Sequence, residues 1–364
     1  MNSFGEKFRF TTFGESHGIA LGVIVDGVPA GVKIDTEFIQ SEMDRRKPGK
    51  SEAETGRKES DTIQILSGTF EDETGELVST GTSIAMVLFN ENQKSRDYAN
   101  VKELFRPGHA DFTYFHKYGI RDYRGGGRSS ARETSARVAA GAIAKLMLND
   151  LNIKVESGLL EIGGIQSEEQ NFDYAKEKGN ILFTLDKEKY QEQLDAVMEA
   201  KKSHDSIGGV VLVKASNVPA GLGEPMYHKL DGQIANIMMG LNAVKAVEIG
   251  DGCDAARSRG SINNDQITSK GFETNHSGGI LGGISNGDDI LVKVYFKPTP
   301  SIFIEQKTVN TANEDTTYNL QGRHDPCVAI RGSVVCESQL ALVLADMVLL
   351  NMTSKMDHLK AVYC

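Results

Sequence analysis

The chain reads as a layered α/β or α+β sandwich, and three observations predict it. Several short segments rich in Val, Ile and Phe are bounded by Gly, Asn or Asp, which is how strands look in sequence. Several longer segments carry apolar residues at helical spacing. Hairpin-like strand runs precede single helices instead of alternating strictly with them, and that disfavours a doubly wound parallel sheet.

In chain order, GVIVDGV (22–28) reads as a strand and DTEFIQSEMDRR (35–46) as a helix. Strands follow at 62–68 (TIQILSG) and 82–90 (TSIAMVLFN). In SARETSARVAAGAIAKLML (130–148), Ala139, Ile143 and Leu146 recur at helical spacing with Ala142 on the same face. Ser130 followed by Glu133 has capping-box spacing, so this helix is predicted to start at Ser130. Helices at 187–202, 229–242 and 338–352, and strands at 208–216 and 289–297, complete the reading. Glycine pairs at 163–165, 208–210, 278–280 and 282–284 each adjoin an apolar stretch and read as turns between short strands. No linker, low-complexity tract or fixed repeat period divides the 364 residues, which suffice for two or three domain-sized units or one large one.

The 40 Lys and Arg against 50 Asp and Glu leave a net charge of −10, an unfavourable field for nucleic acid. Clusters of arginine within such a chain are therefore informative. The four cysteines form no CxxC pair, so no zinc site is expected, and reduced cytosolic thiols are. MNSFGEKFRF shows no apolar signal region. The longest apolar run, LALVLADMVLL (340–350), is shorter than a bilayer span and contains Asp346, so it reads as a core helix. A cytoplasmic protein with no membrane partner is the expectation.

The chemistry concentrates in loops shaped by glycine or proline. RGGGRSSARE (124–133) sets Gly125–Gly127 just before a predicted helix N-terminus, where backbone N–H groups favour an anion and glycine permits close approach. Arg128 and Arg132 add donors of phosphate-matching geometry. The loop is neither GxGxxG nor a P-loop. TFGESHG (12–18) places Ser16 and His17 in a tight turn; the histidine suits acid–base work, and an ordinary turn fits as well. RPGHADFTYFHKYG (106–119) offers His109, flanked by Arg106 and Asp111, as a catalytic candidate, whereas His116 reads as packing. DRRKPGK (44–50) ends a helix in Arg45, Arg46, Lys47 and Lys50, either an anion clamp or simple helix capping. KPTPS (297–301) is a stiff turn with Lys297, Thr299 and Ser301 as polar partners. GRHDPC (322–327) groups Arg323, His324 and Asp325; the aspartate reads as a proton acceptor or an Asx turn. Several arginines beside two histidines and an aspartate suit proton transfer on a phosphorylated, carboxylated small molecule.

GESHGIALGVIVDGVP (14–29), GRSSARETSARVAAG (127–141) and RHDPCVAIRGSVVCES (323–338) resemble blocks of the chorismate synthase family, and the resemblance spans essentially the whole chain. It implies 1,4-anti elimination of phosphate from 5-enolpyruvylshikimate 3-phosphate to give chorismate, the last step of the shikimate pathway. It also implies a need for reduced FMN, which lends charge transiently to the substrate although the net reaction is redox-neutral. By resemblance, His17 protonates the leaving phosphate, His109 protonates the reduced flavin, Asp325 assists deprotonation of the flavin, and Ser16 and Ser130 relay protons. The implied FMN contacts are Arg128, Ser129, Ser130, Asn242, Ala243, Gly282, Lys297, Pro298, Thr299, Pro300, Ser301 and Arg323. Arg46 matches an NADP-linked arginine that equally suits the substrate, and Arg45 and Arg132 are implied substrate arginines. Many relatives carry a further arginine where this chain has Glu52, so NADPH is expected to act only indirectly, through an external flavin reductase. No metal is implied. The implied fold is a β-α-β sandwich, two antiparallel sheets enclosing helices, as one domain over 1–364 with long active-site loops, assembled as a homotetramer. The competing readings are a flavin-dependent oxidoreductase and a non-catalytic phosphometabolite-binding protein.

Overall fold

The computed structural model describes residues 1–49, 53, 61–90, 101–319 and 325–364. The first half contains β1 (Ser3–Phe4), β2 (Arg9–Gly14), β3 (Ala20–Asp26), α1 (Thr36–Arg46), β4 (Gln64–Ile65), β5 (Thr69–Glu71), β6 (Leu77–Ser79), β7 (Ile84–Phe89), α2 (Asp111–Tyr118) and α3 (Thr134–Asp150). Next come β8 (Lys154–Ile162), β9 (Ile165–Gln166), α4 (Phe172–Ala175), α5 (Tyr190–Lys202), β10 (Gly209–Ser216), α6 (Leu230–Met239) and β11 (Val244–Ile249). After α7 (Gly260–Asn263) the short pairs β12 (Ile267–Thr268) with β13 (Gly271–Phe272) and β14 (Ile280–Leu281) with β15 (Ile284–Ser285) lead to β16 (Ile290–Phe296). A hairpin of β17 (Gln306–Val309) and β18 (Asp315–Tyr318), then α8 (Ala329–Asn351) and α9 (Met356–Tyr363), end the chain.

Two five-stranded sheets, ordered β1-β2-β3-β7-β4 and β11-β16-β10-β8-β9, form the frame, and their strand pairs are antiparallel. In β16 every second residue, Ile290, Val292, Val294 and Phe296, is buried, the period of two that a one-sided core demands. Helix α3 packs on β2 and β3, helix α8 packs on β8 and β10, and the two helices pack on each other. Gly141 of α3 makes that crossing close: a Cβ there would stand 2.7 Å from Ser338 Cα.

Helix α8 is long and apolar enough to cross a membrane, yet 83% of its most apolar stretch is buried within the protein. Asp346 is not stranded there. Its carboxylate accepts the backbone N–H groups of Glu6, Lys7 and Phe8 at 2.7–3.0 Å, tying the N-terminal segment to the core helix.

The predicted strands at 22–28, 82–90, 208–216 and 289–297 are present with ends shifted by a residue or two, and Asp35 caps α1 by accepting from the Phe38 N–H. The strand expected at 62–68 shortens to Gln64–Ile65, which pairs with β7 and, among the described residues, ends the sheet order. The helix expected at 338–352 begins at Ala329; Gly332 and Ser333, weak helix formers, mask its first turns, and both are buried in the core. The helix predicted from Ser130 is corrected as well. Ser130 does cap, accepting from the Arg132 N–H, but the first turn is 3-10 (Ala131–Glu133) and α3 starts at Thr134. Glu133 does not close the capping box, because Thr12 and Arg137 hold its carboxylate.

Candidate active site

The three consecutive glycines form a turn in which each missing side chain makes room for another residue. Gly125, Gly126 and Gly127 all have positive φ (62°, 86° and 55°), which glycine adopts without strain. A Cβ on Gly125 would meet His17 Cδ2 at 2.5 Å, its Nε2 at 2.6 Å and Ser16 Oγ at 3.2 Å. On Gly126 it would meet Ser129 Oγ at 2.9 Å and His109 Cε1 at 3.0 Å. On Gly127 it would meet Glu15 Oε2 at 2.5 Å. The loop thus gathers two histidines more than ninety positions apart in sequence onto neighbouring residues.

His17 sits in the β2–β3 connection, which turns through a Gly18 N–H bond to the Glu15 carbonyl at 2.9 Å. Asn90, at the end of β7, donates to the Glu15 and Gly18 carbonyls at 3.1 and 2.9 Å, and its Oδ1 accepts from Arg132 Nε at 2.6 Å. One amide therefore links the histidine turn to an arginine. Burial raises the Glu15 pKa, Arg128 opposes that, and nearby Asp122 adds to it.

His109 follows the Pro107-Gly108 turn, with its N–H on the Arg106 carbonyl. Its Nδ1 lies 3.1 Å from Asp111 Oδ1 and 3.2 Å from an Arg106 Nη. Burial lowers the His109 pKa; the hydrogen bond that His109 donates to Asp111 opposes the shift, and the Arg106 and Arg121 charges reinforce it. His116 packs against the Phe112 ring at 4.1 Å, as expected for a packing residue.

His109 and Gly125 border a cleft of about 430 Å³ lined also by Arg106, Tyr114, Ser129, Ser130, Arg132, Asn242, Ala243, Lys297, Thr299, Pro300, Ser301, Asp325 and Arg331. The Lys297–Ser301 turn is placed by Lys297, whose N–H bonds the Ala243 carbonyl and whose ammonium bonds the Gly108 carbonyl at 2.6 Å. Asn242 donates to the Ser129 carbonyl, joining that turn to the glycine loop. Asp325 pairs with Arg331 in the first turn of α8. Across the loop, a second depression of about 1080 Å³ is lined by Glu15, Tyr118, Arg124, Gly126, Gly127, Arg128 and Arg137, and shares Tyr114 and Asn242 with the first. The glycine turn is the wall between them.

Most of the expected site residues meet in the first cleft, but not all: His17 and Ser16 stand behind Gly125 and, like Pro298, are not part of its lining. Arg128 turns to the second depression, donating to Thr12 Oγ1 at 2.7 Å and lying 3.7 Å from Glu133, so it is separated from Ser129 and Ser130. Arg46 is fully buried and paired with Asp61, which also accepts from Arg132 Nη1 at 2.6 Å. Arg45 points elsewhere. It donates to Glu337 at 2.9 and 2.8 Å and to Glu42 at 2.7 Å, while Lys145 contacts both carboxylates and Ser157 donates to Glu337 at 2.7 Å. That network joins α1, α3, α8 and β8, and Arg45, expected at the substrate, does not line the cleft. Gly282 lies in the β14–β15 turn and does not line the cleft. Glu52, Arg323, His324 and Lys50 fall outside the described residues.

Arg331, Asn90, Asp61 and Tyr114 escaped the sequence reading. A signal existed for Arg331, which stands six residues after Asp325 and so reaches back to it across the start of a helix; Asn90 and Asp61 carried none, because their partners are distant in sequence.

Several polar atoms around the clefts, Ser16 Oγ, Thr299 Oγ1, Arg331 Nε and Arg128 Nη1, are buried without a hydrogen-bond partner among the described residues. Unpartnered buried polar atoms call for an explanation, and a polar ligand in the cleft beside Thr299 and Arg331 would supply one. Fold and site together describe a mixed α/β protein whose cleft, lined by arginines, a histidine and an aspartate, suits a multiply charged anionic small molecule. Residues 8–349 match the family model for chorismate synthase. The chain is 67% identical over 363 residues to the chorismate synthase of Aliarcobacter butzleri, with 100% of this chain and 99% of that one aligned. It is 64% identical over 363 residues to that of Sulfurovum sp., each chain covered in full. A crystal structure of chorismate synthase superposes with a TM-score of 0.71 at 32% identity, covering 98% of this chain and 96% of the other. The chain therefore belongs to the chorismate synthase family, lyases of the last shikimate-pathway step that depend on reduced FMN.

Proposed function

We propose that this chain eliminates phosphate from 5-enolpyruvylshikimate 3-phosphate in the cleft bounded by the glycine turn, the Lys297–Ser301 turn and the start of α8. The observation that carries this is the convergence of His17 and His109 on consecutive glycines beside a cavity lined by Arg106, Arg132 and Arg331. Three arginines suit a substrate with two carboxylates and a phosphate, and fixed guanidinium groups stabilise the charge that develops as phosphate departs. His17, with Ser16 beside it, supplies a proton to the departing phosphate oxygen. His109 holds a proton at Nε2, the nitrogen not facing Asp111. Asp325, held by Arg331, receives a proton on its carboxylate, and Ser130 bridges proton movement along the cleft wall.

The residues present suit reduced FMN. Ser129, Ser130, Asn242, Ala243 and the Lys297–Ser301 turn would hold it, the unpaired Thr299 hydroxyl among them. When bound, it lends electron density to the substrate as the allylic C–O bond breaks. The chain's own residues orient the substrate, exclude water and handle protons. This reading extends to one domain over 1–364 with a β-α-β sandwich of two sheets around helices, a cytoplasmic homotetramer, and an external flavin reductase through which NADPH acts.

Anaerobic turnover of 5-enolpyruvylshikimate 3-phosphate with photoreduced FMN tests it. Many products should form per reduced flavin, and H17A and H109A should each lower kcat by about 10²-fold or more. One reductant consumed per product would show an oxidoreductase instead. Wild-type rates in both variants would remove the histidines from the mechanism. Aerobic turnover with FMN and NADPH alone would overturn the need for a separate reductase.

A further inference from the structure

We propose that Asp111 is a positioning residue for the reaction: it orients the His109 ring, keeps a proton on Nδ1 and balances the two arginines beside it, so that Nε2 is the nitrogen presented at the glycine turn. The inference rests on the reading that His109 works in the cleft, and it adds a residue and a mechanism of control to that reading.

The geometry is unusually complete. Asp111 opens α2 and is 2% exposed. Its Oδ2 accepts the Arg106 N–H at 3.2 Å and Arg106 Nε at 2.7 Å. Its Oδ1 accepts an Arg106 Nη at 2.9 Å and stands 3.0 Å from Arg121 Nη1 and 3.1 Å from His109 Nδ1. Arg121 is itself fixed by the Val101, Lys102 and Leu104 carbonyls at 2.6–3.2 Å. One buried carboxylate thus faces two guanidinium groups and an imidazole.

Arg106 also lies 3.2 Å from Nδ1, and the two contacts demand opposite tautomers. A guanidinium only donates, so Nδ1 would have to be bare to meet Arg106; a carboxylate only accepts, so Nδ1 must carry hydrogen to meet Asp111. The carboxylate decides. Its charge makes the stronger hydrogen bond, and the same Arg106 Nη already donates to Asp111. With Nδ1–H committed, Nε2 is left toward Gly126 and the cleft, 3.2 Å from where a Cβ of that glycine would stand.

The charges around His109 come from every side. Arg106 and Arg121 flank it, and Asp111 opposes them. Lys297 reaches the neighbouring Gly108 carbonyl from the end of β16, and Asp325 with Arg331 lines the same cleft. Removing the Asp111 charge leaves the ring facing cations unrelieved, so protonation of His109 becomes harder.

The test is Asp111→Asn, whose amide oxygen still accepts from Nδ1 while the charge is gone. Two readouts are needed. Histidine NMR titration of the flavin-free protein should show His109 protonating at lower pH than in wild type, by at least about one unit for a unit charge lost at hydrogen-bond distance. The alkaline limb of the anaerobic kcat profile should move in the same direction, with activity partly restored as pH falls. A double-mutant cycle with His109→Gln separates positioning from mere support. If Asp111 acts through His109, D111N adds less than about threefold to the loss in H109Q; an added loss of tenfold or more overturns the proposal. Should D111N fail to fold, Arg121→Met tests the same balance with the opposite sign, and His109 should then protonate at higher pH. An unmoved His109 titration in a folded variant sinks the coupling between the residues. A moved titration with no kinetic effect of H109Q sinks the catalytic reading of His109 instead.

Discussion

Replacing Gly125 by alanine isolates what the glycine turn is for. The added Cβ would stand 2.5 Å from His17 Cδ2 and 2.6 Å from Nε2, where ordinary contact begins at 3.4 Å. The imidazole must therefore retreat by about 1 Å, because the backbone cannot: dispersion contacts turn steeply repulsive inside that distance. The left-handed backbone, φ +62°, adds about 1 kcal/mol for any residue with a Cβ. Gly119 supplies the control. Its φ is +74°, and a Cβ there would meet nothing within 4 Å. G119A should lose about 1 kcal/mol in urea unfolding, and G125A about 1–3 kcal/mol more because the buried His17 ring must shift. Only G125A should lose kcat, by about 10²-fold, the usual consequence of misplacing a reacting group by 1 Å. Anaerobic turnover with reduced FMN reads the difference. Equal activities within threefold, with both proteins folded, would refute the claim that the glycine exists to seat His17.

Other expectations follow from the core and from the buried charges. Gly141→Ala should destabilise the protein by about 1–3 kcal/mol in urea unfolding although alanine is the better helix former, because the new Cβ meets the Ser338 backbone; a stabilised variant would refute the close α3–α8 crossing. Glu337→Gln should cost about 3–5 kcal/mol, since Arg45 and Lys145 would lose a buried carboxylate partner, and a loss under 1 kcal/mol would show that the network is dispensable. Burial works against the Asp61 charge, but Arg46 and Arg132 bring its pKa down from 3.8 to about 2. A depressed carboxylate stabilises above its unfolded pKa and loses that contribution as pH falls toward the folded one, so about 2 kcal/mol should vanish between roughly pH 4 and pH 2, and D61N should flatten that part of the pH–stability curve. Burial pushes the Cys327 thiol up to about 12 and Cys336 higher still, so iodoacetamide should label only the exposed Cys253 and Cys364 in the folded chain; modification of Cys327 before unfolding would contradict its burial.

Local chemistry was legible without the fold. The strand at 289–297, the helix at 35–46, the glycine pairs at 163–165 and 282–284 as turns between strands and the placing of Arg106 and Asp111 beside His109 all depend on neighbours within a few positions, whereas Gly208-Gly209, read as a turn between strands, instead leads from the segment after α5 into β10. The motifs in 14–29, 127–141 and 323–338 sufficed to suggest the family, which the comparisons then established. The short range also explains the misreadings. Ser130 and Glu133 have the spacing of a capping box, yet Thr12, 121 positions away, claims the glutamate.

The sequence by itself determined the family and placed the candidate chemical residues in glycine- and proline-shaped loops. The tertiary structure decided which of them share a space. Arg45 and Arg46 are adjacent in sequence and look equivalent, but successive positions of a helix point about 100° apart. One therefore reaches Glu337, 292 positions away, and the other Asp61. His17 and His109 look unrelated until two missing side chains let both rings approach one turn. The destination of a long charged side chain depends on partners brought by distant strands and helices, and no window of sequence contains them.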